Sequence, residues 1–100
     1  MTLVYFYLMI MAYYVYILEC ADGTYYTGMT SNLKRRLNQH NNGSNKRAYT
    51  YSRRPVRLVW CEELASRDDA KQREKQIKRG NRRRKNALMQ ARLEIGDCLD

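Results

Sequence analysis

Residues 13–20, Tyr-Tyr-Val-Tyr-Ile-Leu-Glu-Cys, are apolar on both faces of an extended chain. A strand with one buried face alternates apolar and polar residues, and one buried on both faces does not. The β-branched and aromatic content also favours a strand. This segment therefore predicts a central strand covered on both sides. The rest of the chain has to supply flanking strands and two covering layers. One hundred residues suffice for one domain with one modest core and leave too little apolar surface for a second.

The elements needed follow in order. Residues 25–29 read as a hairpin partner. The loop between, Ala21-Asp22-Gly23, suits three residues, a type I turn followed by a left-handed glycine, with a two-residue Asp22-Gly23 turn as the competitor. Ser31 or Asn32 can cap a helix over 33–40, which ends in a polar loop from Asn41 to Asn45. Residues 46–54 are basic and irregular, with a short helical turn around Tyr49. Pro55 precedes a third strand over 56–63. Ser66 begins the next helix with Asp69 three residues on, a capping-box spacing, and Asp68 and Asp69 suit the helix dipole. Gly80 is placed to stop it. Residues 82–93 make a last helix. The order is strand, strand, helix, strand, helix, helix, an α/β (α+β) arrangement.

The termini and cysteines carry less information. Residues 2–18 contain no charge. They lack the basic start and small-residue cleavage site of a signal peptide, and they sit at the lower edge of a membrane span. Their tyrosines suit a half-exposed strand better than a lipid-facing helix. Residues 1–11 read as an apolar extension from a misassigned start, with Met11 as the alternative, residues 12–88 as the domain, and 89–100 as a helix end and tail. Cys20, Cys61 and Cys98 show no zinc spacing and are odd in number. All three are expected to be reduced, as in a cytoplasmic protein.

Charge points to a partner. Eighteen of the nineteen Lys and Arg residues lie between Lys34 and Lys85, against five acids, and Tyr49, Tyr51 and Trp60 are interleaved with them. The net charge is +9. A basic stretch with aromatics is the footprint expected for nucleic-acid phosphate. Lys34, Arg35, Lys46, Arg47, Arg53, Arg54, Lys78 and Arg79 are the candidate contacts.

Polar residues also stand where a core should be. Leu33, Arg36, Leu37 and His40 share one helical face, and Arg35 points elsewhere. Ala70, Glu74 and Ile77 repeat the pattern on the next helix, with Lys71, Lys75 and Lys78 on other sides. A charge facing a core is costly unless it is paired or bound to a metal. Arg36 and Glu74 could be each other's partner, or both could belong to a site. A three-residue hairpin loop would set Tyr16 opposite Gly28 and Tyr26 opposite Leu18, with both tyrosines on one face. A two-residue loop would separate them.

Together these residues resemble a known pattern. Tyr14-Val15-Tyr16, followed ten residues on by Tyr26-Thr27-Gly28, resembles the paired tripeptides that name the GIY-YIG nucleases. The likeness continues through Arg36, His40 and Glu74. From about residue 12 to 85 the chain is similar to small, stand-alone bacterial members, closest along Tyr14 to Cys20 and Arg54 to Val59. The resemblance implies a three-stranded antiparallel sheet flanked by helices, one magnesium or manganese ion held by one carboxylate, and hydrolysis of DNA phosphodiesters. Carried over, Glu74 would bind the metal and Arg36 would answer charge growing on the phosphoryl group. Tyr26 would position or deprotonate the attacking water. Tyr16 would hold phosphate or assist that water, and His40, with an ordinary pKa of about 6.5, would support the base or protonate the leaving oxygen.

The chain departs from the family name at Tyr14 and Val15, which replace Gly and Ile, and at Thr27, which replaces the second Ile. Asn86 is a candidate for the late asparagine of some members. The expected function is a divalent-metal-dependent endonuclease, structure- or repair-related, in the cytoplasm, acting on DNA in preference to RNA, with no stable membrane association. The alternatives are a non-catalytic nucleic-acid-binding module on the same fold and a membrane-tethered adaptor using residues 1–18.

Overall fold

The computed structural model describes residues 12–91 and Cys98; the proposed extension over 1–11 and most of the C-terminal tail lie outside these. Strands β1 (Tyr13–Glu19) and β2 (Tyr25–Thr30) are followed by helix α1 (Leu33–Asn42), a 3-10 turn (Tyr51–Arg53), β3 (Arg57–Leu64), α2 (Arg67–Arg79) and α3 (Arg82–Ala91). The three strands form an antiparallel sheet in the order β2-β1-β3, so the doubly apolar segment is central.

Its two faces build two cores. Val15 and Ile17 pack with Trp60, Ala70 and Ile77 under α2 and α3. Tyr16, Leu18 and Cys20 pack with Leu33, Leu58 and Cys61 on the α1 face. Between Ile17 and Leu18 the pairing with β3 slips by one residue, because Ile17 opposes Trp60 while Leu18 opposes Leu58. Val59 is the extra residue of this bulge, and it joins Trp60 against the α2 face.

The hairpin keeps the odd loop. Tyr16 opposes Gly28 and Leu18 opposes Tyr26. Cys20 N–H donates to Thr24 O at 2.8 Å, Gly23 N–H donates to Cys20 O at 2.9 Å, and Gly23 takes a positive φ of 83°. The competing two-residue turn is excluded.

Helix ends follow the expected chemistry. The Asn32 side chain accepts from Arg35 N–H, and Gly43 closes α1 in the left-handed region at φ 73°. Ser66 accepts from Asp69 N–H at the start of α2. Gly80 ends α2 with an extended backbone, φ −74°, and not with a left-handed one. The last residue of α1 but one, Asn41, clasps the backbone of Val56, donating to its O at 2.9 Å and accepting from its N–H at 2.7 Å.

The cysteines are not all reduced. Cys61 and Cys98, 37 residues apart, form a disulfide with their Cα atoms 6.4 Å apart, and Cys20 alone is a buried free thiol. Spacing along the chain could not reveal this, because the fold brings Cys98 over β3. Among the described residues no helix is long and apolar enough to cross a membrane.

Ile17 is fully buried at the centre of the α2-facing core. Ile17→Ala should lower unfolding free energy by about 2–5 kcal/mol, read by urea denaturation.

Candidate active site

The site is assembled where β1, β2 and α1 meet. Tyr16 leaves the central strand toward α1 and is buried to 1% exposure. It fits there because its cross-strand neighbour is Gly28. A Cβ on Gly28 would lie 2.5 Å from Tyr16 Oη and 2.7 Å from Cζ. The glycine is thus required by close approach of a side chain.

The Tyr16 hydroxyl lies 3.0 Å from His40 Nε2, and His40 Nδ1 lies 2.8 Å from Thr50 Oγ1. His40 and Thr50 are both buried. Both ring nitrogens are therefore occupied, and the imidazole is fixed in orientation. Tyr26 meets the His40 ring edge-on at 5.2 Å between centroids and lies 6.4 Å from the Tyr16 ring. Beyond Tyr26, Tyr49 stacks at 6.1 Å with 19° between planes. The Arg53 guanidinium covers Tyr49 at 3.8 Å. A cleft of about 410 Å³ opens here, lined by Tyr26, Arg36, Gln39, His40 and Thr50 among others.

Charges act on this cluster. Burial holds the Tyr16 phenol well above its ordinary pKa. Tyr26 and, more weakly, Glu74 push the same way, while the charge and donors of Arg36 oppose them. Burial, then the Arg36 charge, holds the His40 imidazole below its ordinary value. The site at neutral pH therefore contains a neutral phenol bonded to a neutral imidazole.

Glu74 and Arg36 do not pair. The Glu74 carboxylate is half-buried and meets Lys78 Nζ at 3.2 Å, four residues on along α2. Lys78 was expected on another side of the helix, but the i,i+4 spacing puts it on the same stripe as Glu74. Glu74 is still near enough to Tyr16 for its charge to be felt there. Among the described residues no three His, Cys, Asp or Glu side chains gather into a metal cage. A single carboxylate fits a hard cation that keeps its waters and takes its other ligands from substrate phosphate.

Of the expected phosphate contacts, Lys34, Arg35, Lys46, Arg47 and Arg79 are exposed. Arg53 and Arg54 use donors within the fold. Arg53 pairs with Asp22 at 3.0 Å and donates to Tyr49 O, and Arg54 donates to Tyr51 O at 2.7 Å. Asn86 accepts from Tyr25 Oη at 3.0 Å. Sequence reasoning missed Thr50, a lone threonine in an irregular stretch with no periodic signal, and it did not foresee the stack of Tyr49 on Tyr26.

Comparison with known proteins identifies the family to which this fold belongs. A family model described as the GIY-YIG catalytic domain matches residues 12–87. The chain belongs to the GIY-YIG family. It is similar to a UPF0213 protein of Desulfotalea psychrophila, 48% identical over 80% of this chain and 73% of that one. Similarity to a UPF0213 protein of Syntrophus aciditrophicus is 50% over 76% of this chain and 87% of that one. Among solved structures, a UPF0213 protein from Bacillus halodurans matches with TM-score 0.55 and 42% identity, covering 82% of this chain and 86% of that one. The GIY-YIG domain implies a nuclease family and a nucleic-acid substrate. Members of the family generally depend on a divalent metal.

Two outcomes test this geometry. Gly28→Ala should cost about 1–3 kcal/mol in urea unfolding, since Tyr16 or β2 must shift; unchanged stability would contradict the close contact. His40 is the chain's single histidine, so its NMR titration is unambiguous. Its midpoint should lie below about 6.5 and rise in Arg36→Gln. Because the fold favours neutral His40, its contribution to stability is complete above the unfolded pKa and is lost as pH falls through the folded one.

Proposed function

We propose that the chain is a divalent-metal-dependent endonuclease that hydrolyses phosphodiesters in DNA. The observation that carries this is the buried Tyr16–His40–Thr50 chain, whose His40 and Thr50 line a cleft together with Tyr26 and Arg36.

Tyr26 orients the attacking water. A phenol whose pKa is raised is a poor free base. Tyr16 instead takes a proton from the water as it passes its own to His40 Nε2, so no tyrosinate has to persist; as the water oxygen bonds to phosphorus the bond to the leaving oxygen breaks, that oxygen takes a proton from solvent, and His40 returns its extra proton to solvent. Thr50 supports this if it accepts from Nδ1–H, which leaves the Nε2 lone pair toward Tyr16. Arg36 holds the phosphate and answers the charge that grows on its oxygens. Glu74, released from Lys78, would hold one magnesium or manganese ion, which supplies Lewis-acid stabilisation of the phosphoryl oxygens. Lys78 is then free to meet substrate phosphate. Lys34, Arg35, Lys46, Arg47 and Arg79 guide the nucleic-acid backbone. The substrate that fits this reading is damaged or branched DNA in the cytoplasm.

The binding-module alternative has one observation in its favour, the Lys78–Glu74 pair that closes the carboxylate. A nicking assay on plasmid, branched and single-stranded DNA decides between them. Arg36→Ala should lose about 100–1,000-fold in rate and Glu74→Ala at least as much, and EDTA should abolish cleavage. Wild-type activity no greater than that of either variant, with binding retained in Glu74→Ala, establishes the binding module.

A further inference from the structure

The cations of this chain fall into two groups on opposite faces of the sheet. Residues 33–55 carry seven Lys and Arg and no acid, and residues 67–91 carry ten against three acids. α1 packs on the Tyr16 face, beside the cleft, whereas α2 and α3 pack on the Val15 and Ile17 face. The second group surrounds a groove of about 670 Å³, lined by Gln72, Lys75, Gln76, Arg79 and Arg84 among others.

This groove is separate from the candidate active site. Successive residues of a helix turn by about 100°. Lys78 therefore shares the stripe of Glu74, while Gln72 and Gln76 fall on the far flank of α2. Leu64, at the end of the edge strand β3, borders the groove on that side.

We propose that this groove is a second nucleic-acid surface, which holds one duplex arm by its phosphates while the cleft holds another. The inference deepens the nuclease reading and rests on it only for what the cleft holds. Three observations carry it.

The first is unpaired charge. Lys75, Arg79 and Arg84 are exposed and have no carboxylate partner among the described residues, where α2 and α3 contribute only the Lys78–Glu74 and Arg73–Glu62 pairs. Asp69, in the first turn of α2, is the one carboxylate among the described lining residues.

The second is that these charges work against their own helices. Lys71, Lys75 and Arg79 recur every fourth residue, so neighbours in the series repel. Arg82, Arg83, Arg84 and Lys85 fill the start of α3 with no acid among them, where the helix dipole disfavours cations. A surface that served solubility alone would mix signs and avoid both costs. A bound polyanion offsets both.

The third is the set of donors. Gln76 Oε1 accepts from Arg73 Nη1 at 2.6 Å, which leaves the amide N–H groups of Gln76 to donate. With Gln72 and the cations, the groove presents the donors that phosphate and sugar oxygens accept. A straight backbone in the cleft cannot also lie in a groove on the opposite face of the sheet. Two arms of one branched or sharply bent molecule can, and the linkage between them adds affinity.

The test is the number of short, dye-labelled duplexes that one full chain binds at low salt in EDTA, read by analytical ultracentrifugation. The wild type should bind two. Lys75→Gln/Arg79→Gln/Arg84→Gln should bind one, and so should Lys34→Gln/Arg35→Gln/Lys46→Gln/Arg47→Gln. On a four-way junction the groove variant should lose about tenfold or more in affinity, with a salt slope smaller by about two to three, against about twofold on linear duplex. Its urea midpoint should be no lower than that of the wild type, because only repulsive charge is removed. One duplex per wild-type chain, equal losses on junction and duplex, or a lower midpoint overturns the proposal. Groove-dependent binding to phosphatidylserine vesicles with duplex stoichiometry unchanged in the groove variant also overturns it, in favour of a membrane surface. A chain that cleaves nothing yet binds two duplexes supports the groove and removes only the nuclease reading. An active nuclease that binds one duplex overturns the groove alone.

Discussion

β1 is the strand on which everything else is hung. Val15 and Ile17 anchor α2 and α3 from one face, while Tyr16 and Leu18 anchor α1 from the other. One of those core residues ends in a hydroxyl, and that hydroxyl is hydrogen-bonded to His40. The phenol cannot drift from His40 without opening the α1-facing core, so rigidity at the site comes directly from burial. This differs from sites built on loops, where catalytic groups must be held by additional hydrogen bonds.

Gly28 is the counterpart of that arrangement. The sheet is thinnest beside Tyr16, where the neighbouring strand contributes no side chain. The missing side chain gives the tyrosine ring its room. A reader of the sequence sees a tripeptide ending in glycine, and the physical content is a contact distance between two strands.

Much of this was legible beforehand, for identifiable reasons. The central strand announced itself by lacking alternation. The hairpin register followed from loop length, because a one-residue change would send Tyr16 and Tyr26 to opposite faces. Arg36, His40 and Glu74 stood out because each breaks the apolar stripe of its own helix. Thr50 did not, since an irregular segment has no period to break, and its partnership with His40 arises only when residues 43–50 fold back. The partner of Glu74 was misjudged for a simpler reason. Lys78 was grouped with the other lysines of α2, although its spacing from Glu74 is the one that brings two helical side chains together. The Cys61–Cys98 link depends on the tertiary placement of Cys98 beside Cys61 and leaves no trace in local spacing.

Asn41 is the helical residue that grips the backbone of Val56 with both ends of its amide. It imitates a short piece of β-strand at the mouth of the segment between α1 and β3. His40 lies just before this clasp, and the stretch that carries Thr50 lies inside it. Residues 42–55 are therefore a closed bight whose two ends are fastened to each other independently of its contents. Lengthening or rewriting its exposed apex near residues 44–47 changes what the protein presents to its surroundings and leaves the sheet register untouched. That apex, exposed from Ser44 to Arg47, is where the chain can vary at least cost to the fold.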